Sequence, residues 1–212
     1  MNRRTLLALL LALPAGLAHA AAPQAAALTA QDRADLSRIE TYLNSLHALT
    51  ARFLQVAPDG AITEGKAWLE RPGRMRFEYD KPSPFLMVAG FGSFVFHDKE
   101  LGQTTSVPLS VTPLGILLAD QVKLEGSVTV TGIDRQPGQI EVSMTRTASP
   151  EDGALSLVFA DNPLALRQWV VTDAQRQETR VSLFKIEPAS AAFSDSLFQF
   201  EDPRTKATNK GN

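Results

Sequence analysis

The sequence contains no cysteine among its 212 residues. No disulfide can therefore support the fold, and stability must come from an ordinary hydrophobic core. Lipid anchoring of an exported bacterial protein needs a cysteine at the cleavage site, so we expect a chain that is not lipid-anchored. Beyond residue 20 the sequence also lacks any run near the ~18 apolar residues that a membrane-spanning helix requires. We therefore expect the processed chain to be soluble.

An excess of positive charge and the usual catalytic motifs are missing as well. The 21 basic and 23 acidic residues give a net charge of -2, which does not favour a nucleic-acid partner. There is no Gly-x-Ser-x-Gly elbow, and Gly90-Phe91-Gly92 lacks the third glycine of a dinucleotide-binding loop. His97-Asp98 has no further ligands at metal-binding spacing. We expect no enzyme activity, no metal and no cofactor.

The first residues have the pattern of a signal peptide. Residues 1–4 are basic, residues 5–18 are mostly apolar, and Ala18-His19-Ala20 fits the small-x-small cleavage rule. We expect residues 1–20 to be removed on export, 21–28 to form a flexible leader and 204–212 to form a polar tail. Residues 29–203 have a length that suits one domain.

Two segments have the pattern of helices. Thr29 is placed to cap a helix over residues 30–46, in which Leu36, Ile39, Leu43 and Leu46 recur at helical spacing. Residues 112–118 predict a short second helix, with Thr112 as cap and Pro113 at the first helical position.

Most of the remaining chain alternates with a period of two, which predicts about ten strands. The predicted strands cover residues 49–56, 62–70, 74–79, 85–89, 94–97, 102–107, 121–132, 139–147, 154–160, 165–173 and 178–187. So many antiparallel strands should form a strongly curved sheet. We predict a mainly β (α+β) fold, an incomplete barrel whose two helices lie over the concave face and leave an apolar cavity.

One block of residues resembles a known family. It reads Gly65-x-x-Trp68-Leu69-x-Arg71-Pro72-Gly73-x-Met75-x-Phe77-x-Tyr79. The helix and Phe53-x-Gln55 precede this block, and Thr112-Pro113-Leu114 and Phe193-x-x-x-x-Phe198-x-Phe200 follow it. The order and spacing resemble the periplasmic outer-membrane lipoprotein carrier family, the LolA family, over nearly the whole processed chain.

The resemblance implies a periplasmic carrier of triacylated lipoproteins. Members receive cargo from an inner-membrane ABC transporter and pass it to an outer-membrane receptor. The arginine of the Arg-Pro pair, here Arg71, is implied to hold the helical lid by hydrogen bonds to its backbone. We expect a monomer in which that lid contains Pro113, Leu114, Ile116, Leu117 and Leu118. The residues expected to line the acyl-chain cavity are Leu43, Leu46, Phe53, Trp68, Met75, Phe77, Tyr79, Leu86, Val88, Phe94 and Phe96.

Several alternatives stay open at this stage. Met75, Phe77 and Tyr79 could be ordinary core, and either Trp68 or Leu69 could face the cavity, because neighbours on a strand point to opposite sides. The same fold could also serve a carrier of another lipid or a sensor of stray lipoproteins. A lipid hydrolase is a third hypothesis, for which the sequence offers no paired nucleophile and base.

Overall fold

The computed structural model describes residues 24–202. The expected signal peptide and the expected polar tail lie outside the described residues. Residues 24–28 of the expected leader are described. The Ala26 N–H donates to the Val130 oxygen at 2.9 Å, and Leu28 packs against the core.

The first helix, α1 (Ala30–Ser45), begins where the sequence predicts. The Thr29 hydroxyl accepts from the Asp32 N–H, and the Asp32 carboxylate accepts from the Thr29 N–H. This reciprocal arrangement satisfies amides that a helix start leaves without partners. The Thr29 N–H, the Thr29 hydroxyl and Arg135 all donate to the Asp32 carboxylate, and these hydrogen bonds lower the pKa of Asp32 to about 2. Arg135 also pairs with Asp35, which fixes the start of α1 to the sheet.

Eleven antiparallel strands form one sheet in the described part of the chain. They are β1 (Ala48–Val56), β2 (Ile62–Glu70), β3 (Arg74–Tyr79), β4 (Phe85–Gly90), β5 (Ser93–Asp98), β6 (Gln103–Pro108), β7 (Val128–Gln136), β8 (Gln139–Arg146), β9 (Gly153–Ala160), β10 (Ala165–Asp173) and β11 (Glu178–Pro188). The predicted ranges agree closely with this set, except for the seventh strand.

The sheet is curved and open. Its order is β6-β5-β4-β3-β2-β1-β11-β10-β9-β8-β7, so that β6 and β7 form the two edges. Residues 109–127, named here the crossing segment, connect one edge to the other. The crossing segment contains a 3-10 turn (Leu109–Val111) and the one-turn helix α2 (Leu114–Leu117). The predicted incomplete barrel is confirmed.

Two predicted boundaries were wrong. Strand β7 begins at Val128 rather than at residue 121, because Val122 and Leu124 bond to α1 instead of to a strand. The Val122 amide donates to the Asn44 side chain at 2.9 Å, and the Leu124 amide donates to Glu40 at 2.6 Å. Both apolar residues are buried, and this produces the alternation of a strand. Helix α2 is also shorter than predicted, with Pro113 as its N-cap.

Candidate functional site

The face of the sheet that α1 covers, named here the inner face, is almost wholly apolar. On β3 the buried residues Met75, Phe77 and Tyr79 alternate with less buried polar ones. The Phe53 ring lies 4.5 Å from that of Phe77 and 5.0 Å from that of Tyr79, between ring centroids. Tilted and edge-to-face contacts of this kind contribute beyond the area that they bury. A continuous aromatic surface therefore crosses β1 and β3.

The helix and the crossing segment close over this surface. Leu36, Ile39 and Leu43 of α1 are buried in the same cluster as Phe53 and Phe77. Ile116, Leu117 and Leu118 of the crossing segment belong to it too, while Leu46 and Leu114 pack against it as partly buried residues. The interior is filled in this conformation, since Phe53, Phe77 and Leu117 are each at most 1% exposed. A ligand could enter only if part of this cover moved.

One polar pair interrupts the inner face. The Tyr79 hydroxyl donates to the Gln55 side-chain oxygen at 2.8 Å. Burial raises the pKa of Tyr79 above its ordinary value, so the phenol is neutral and donates a hydrogen bond at physiological pH. The pair satisfies both polar groups without placing a charge among the apolar side chains.

Arg71, in the turn between β2 and β3, joins the two elements that cover the interior. Its guanidinium donates to the Leu43 carbonyl at the end of α1 and to the Asn44 side-chain oxygen at 3.2 Å. In the crossing segment it donates twice to the Ala119 carbonyl, at 2.7 and 3.2 Å, and to the Asp120 carbonyl at 3.3 Å. A planar fork of five donors can satisfy several carbonyls at once, which a lysine cannot do.

The surroundings of Arg71 favour its contact with the end of α1. Burial lowers the pKa of Arg71, and the charge of Asp120 opposes that shift. No basic residue lies in the last turn of α1, so Arg71 supplies the positive charge that the carbonyl end of a helix favours. Asn44 adds a second link, because its amide exchanges two 2.9 Å hydrogen bonds with the Val122 backbone. The described contacts therefore tie the crossing segment to α1 through both side chains.

Three residues expected in the cavity lie on the opposite face, named here the outer face. Trp68 is only partly buried there, with the Lys66 ammonium 4.7 Å from its ring, and Leu69 takes the inner position. Leu86 and Val88 pair with Glu78 and Arg76, which also face outward. The expectation that Leu86 and Val88 line the cavity was therefore wrong, and of the two alternatives at residues 68 and 69 it is Leu69 that faces inward.

The reason for that error lies in the C-terminal segment. Residues 193–200 pack on the outer face and cover Leu86 and Val88, which are buried for that reason. The Arg76 guanidinium donates to the Leu197 carbonyl, and Gly90 leaves room for the Phe198 carbonyl, which would lie 2.2 Å from an added Cβ. A strand that is buried on both faces carries an apolar run without alternation.

Two inner-face residues of β4 were missed by sequence reasoning. Phe85 and Met87 pack against the core cluster, and the register places Met87 opposite Phe77 and Phe96. Phe94 and Phe96 lie on the same face, opposite Ala89 and Met87. Met87 can be assigned to the inner face because it pairs with Phe77, but this requires the register between β3 and β4, which the sequence does not provide. On β10, Trp169 is a further missed residue, with its ring 5.9 Å from that of Phe77.

The family model described as outer membrane lipoprotein carrier protein LolA matches residues 44–201. The chain belongs to the LolA family. This match contains Arg71, β1 to β11 and the crossing segment. The LolA family is a family of non-enzymatic carriers.

Relatives named outer-membrane lipoprotein carrier protein extend the LolA match along the chain. The protein from Pseudomonas aeruginosa PAO1 is 28% identical over 211 residues, covering 94% of each chain. The one from Chromobacterium violaceum is 29% identical over 195 residues, covering 87% of this chain and 92% of its own. The crystal structure of a LolA superfamily protein from Nitrosomonas europaea aligns over 78% of this chain and 97% of that one, at 9% identity and a TM-score of 0.40.

Two further observations concern metal binding and membrane spanning in residues 24–202. Three or more His, Asp or Glu side chains do not come together there in an arrangement that could hold a metal ion. None of the helices in this part of the chain has the length and apolar character needed to cross a bilayer.

Proposed function

We propose that this member of the LolA family carries lipoproteins through the periplasm by sheltering their acyl chains between the inner face and its cover. The observation that carries the proposal is the single guanidinium of Arg71, which joins α1 to the crossing segment above an apolar interior. Opening these contacts would expose the apolar surface of Met75, Phe77 and Leu117. In this role Arg71 acts as a latch.

The energetics favour a cover that competes with the ligand. Burying hydrocarbon yields ~0.8 kcal/mol per CH2, or roughly 12 kcal/mol for one chain of ~16 carbons. Several chains buried at full strength would not be released. In the ligand-free protein the side chains of the cover fill the interior. Binding of an acyl chain must therefore displace contacts such as those of Leu117, which lowers the net affinity to an intermediate value.

The proposed partners follow from this role. The cargo is a lipoprotein bearing acyl chains, supplied by an inner-membrane ABC exporter and passed to a receptor or directly to the outer membrane. On the cover, Leu43 and Leu46 would contact these chains. On the inner face, the residues that would do so are Phe53, Met75, Phe77, Tyr79, Phe94 and Phe96, together with Phe85 and Met87.

The proposal can be tested with a fluorescent fatty-acyl probe and a purified triacylated lipoprotein. We expect the probe to bind the purified protein and the lipoprotein to displace it. Mass spectrometry of the material that co-purifies from periplasm would then identify the natural ligand. Displacement by free phospholipid but not by lipoprotein would contradict the proposal and favour a carrier of another lipid. Failure of the probe to bind would argue against any acyl site.

A further inference from the structure

The turn between β4 and β5 exposes a large aromatic side chain. Gly90 pairs with Ser93, so Phe91 and Gly92 form a two-residue loop, and both have positive φ, 51° and 79°. Such loops favour Asn-Gly, and a bulky residue in the left-handed region is strained. Phe91 is nevertheless 72% exposed. The ring therefore gains little from the fold that would offset the strain of its backbone.

A second exposed apolar side chain lies close by on the crossing segment. The Leu109 amide donates to the Gly92 carbonyl at 2.8 Å, which fixes the start of the crossing segment to this turn. Val111, two residues further along, is 50% exposed. Phe91 and Val111, named here the apolar rim, thus lie at the end of the sheet where the crossing segment leaves β6.

The charge distribution singles out the apolar rim. Residues 84–96 and 101–119 contain no Asp, Glu, Lys or Arg. The turns at the other end of the same strands are charged, with Asp80-Lys81 between β3 and β4 and Asp98-Lys99-Glu100 between β5 and β6. The β4–β5 turn and the first part of the crossing segment could therefore enter a bilayer interface, where aromatic and aliphatic side chains are favoured, without desolvating a charge of their own.

We propose that the apolar rim inserts into the interface of the lipid bilayer that gives or receives the cargo. The biological role of this insertion rests on the proposed carrier function, whereas binding to vesicles can be tested without it. Because the rim contains the start of the crossing segment, contact with lipid bears directly on the element that Arg71 holds closed. The bilayer would thus engage the protein beside the cover of its acyl site.

The test compares the full-length processed protein with Phe91→Asn in sedimentation with vesicles of phosphatidylethanolamine and phosphatidylglycerol. Asparagine suits the left-handed turn, so the variant should fold with an unchanged or higher melting temperature. Removing the Phe91 ring, which would be buried in the bilayer interface, should weaken partitioning onto the vesicles about tenfold or more. Leu101→Asn is a matched control, since Leu101 is 66% exposed in the charged turn at the other end. Val111→Ser is a second rim variant with a smaller expected loss.

Weaker partitioning of Phe91→Asn than of Leu101→Asn would support insertion of the rim. Equal partitioning of both variants and the wild type, or no partitioning at all, would overturn the inference. If Phe91→Asn impaired delivery to native outer membranes while the wild type ignored protein-free vesicles, the partner would be a protein and the inference would fail. The fatty-acyl probe keeps the two proposals apart, because its binding needs no vesicle.

Discussion

Replacing Arg71 by leucine should shift the balance between the closed and open cover. When the crossing segment moves away, Arg71 loses its hydrogen bonds to the Ala119 and Asp120 carbonyls. Hydrogen bonds to a charged group contribute roughly 1.5–3 kcal/mol each. Because the guanidinium is only about half buried, we take about 2 kcal/mol for the set. The open fraction should then rise about 30-fold.

The expected result follows from the competition between cover and ligand. Apparent affinity is proportional to the fraction of molecules in the open, binding-competent state as long as that fraction is small, so Arg71→Leu should bind the fatty-acyl probe up to about 30-fold more tightly. Release to acceptor membranes should slow for the same reason. Amide hydrogen exchange of residues 116–124 should become faster in the empty protein, which reports opening independently of any ligand.

Two further variants make this experiment decisive. Arg71→Lys keeps the charge but loses the fork, and it should lie between the wild type and Arg71→Leu. Arg74→Leu is a matched control, because Arg74 pairs with Glu70 and Asp195 instead of the crossing segment. If Arg71→Leu folds but binds, releases and exchanges like the wild type, the latch reasoning is refuted.

Three other predictions test the inner face, the start of α1 and the packing of β2. Met75→Glu should weaken acyl-probe binding because its charge must be desolvated, whereas Lys66→Glu on the outer face should leave binding unchanged; circular dichroism must first show both folded. The pKa of Asp32 is lowered from 3.8 to about 2, so its ionised carboxylate stabilises the fold above pH 3.8, and this stability is lost as the pH falls towards about 2. In Asp32→Asn the free energy of unfolding, measured with a denaturant, should therefore change less between these two pH values than in the wild type. Gly65→Ala should lower the free energy of unfolding by about 2 kcal/mol, since the added Cβ would lie 2.1 Å from a backbone oxygen. Gly132→Ala is the control, because the space around Gly132 is open; an equal loss of stability in both variants would contradict this prediction.

Local patterns predicted most of the fold correctly. The alternation around Met75 and Phe77 gave both the strand and its buried face, and Thr29 with Asp32 marked the start of α1. These signals succeed because they depend on residues that are near one another in the chain. The role of Arg71 was implied by the family resemblance alone, as hydrogen bonds to the backbone of the lid. In the structure its guanidinium donates to backbone carbonyls of both α1 and the crossing segment.

The errors arose where distant segments decide the outcome. Leu86 and Val88 are buried by residues 193–200, more than a hundred residues away, so no local pattern could assign their face. Val122 and Leu124 alternate like a strand because Asn44 and Glu40 of α1 supply their backbone partners. The choice between Trp68 and Leu69 stayed open because it depends on the strand's orientation. In the structure, Lys66 shares the outer face with Trp68, and Leu69 is buried on the inner face.

The unpaired edges of the sheet bear on how much the molecule can hold. A closed barrel has a fixed diameter, because widening it would break the ladder of hydrogen bonds between two strands. Here β6 and β7 are joined by a covalent tether and not by such a ladder. Spreading these edges would break contacts of the crossing segment and of α1, but no ladder of hydrogen bonds, so the proposed acyl site could take ligands of different bulk.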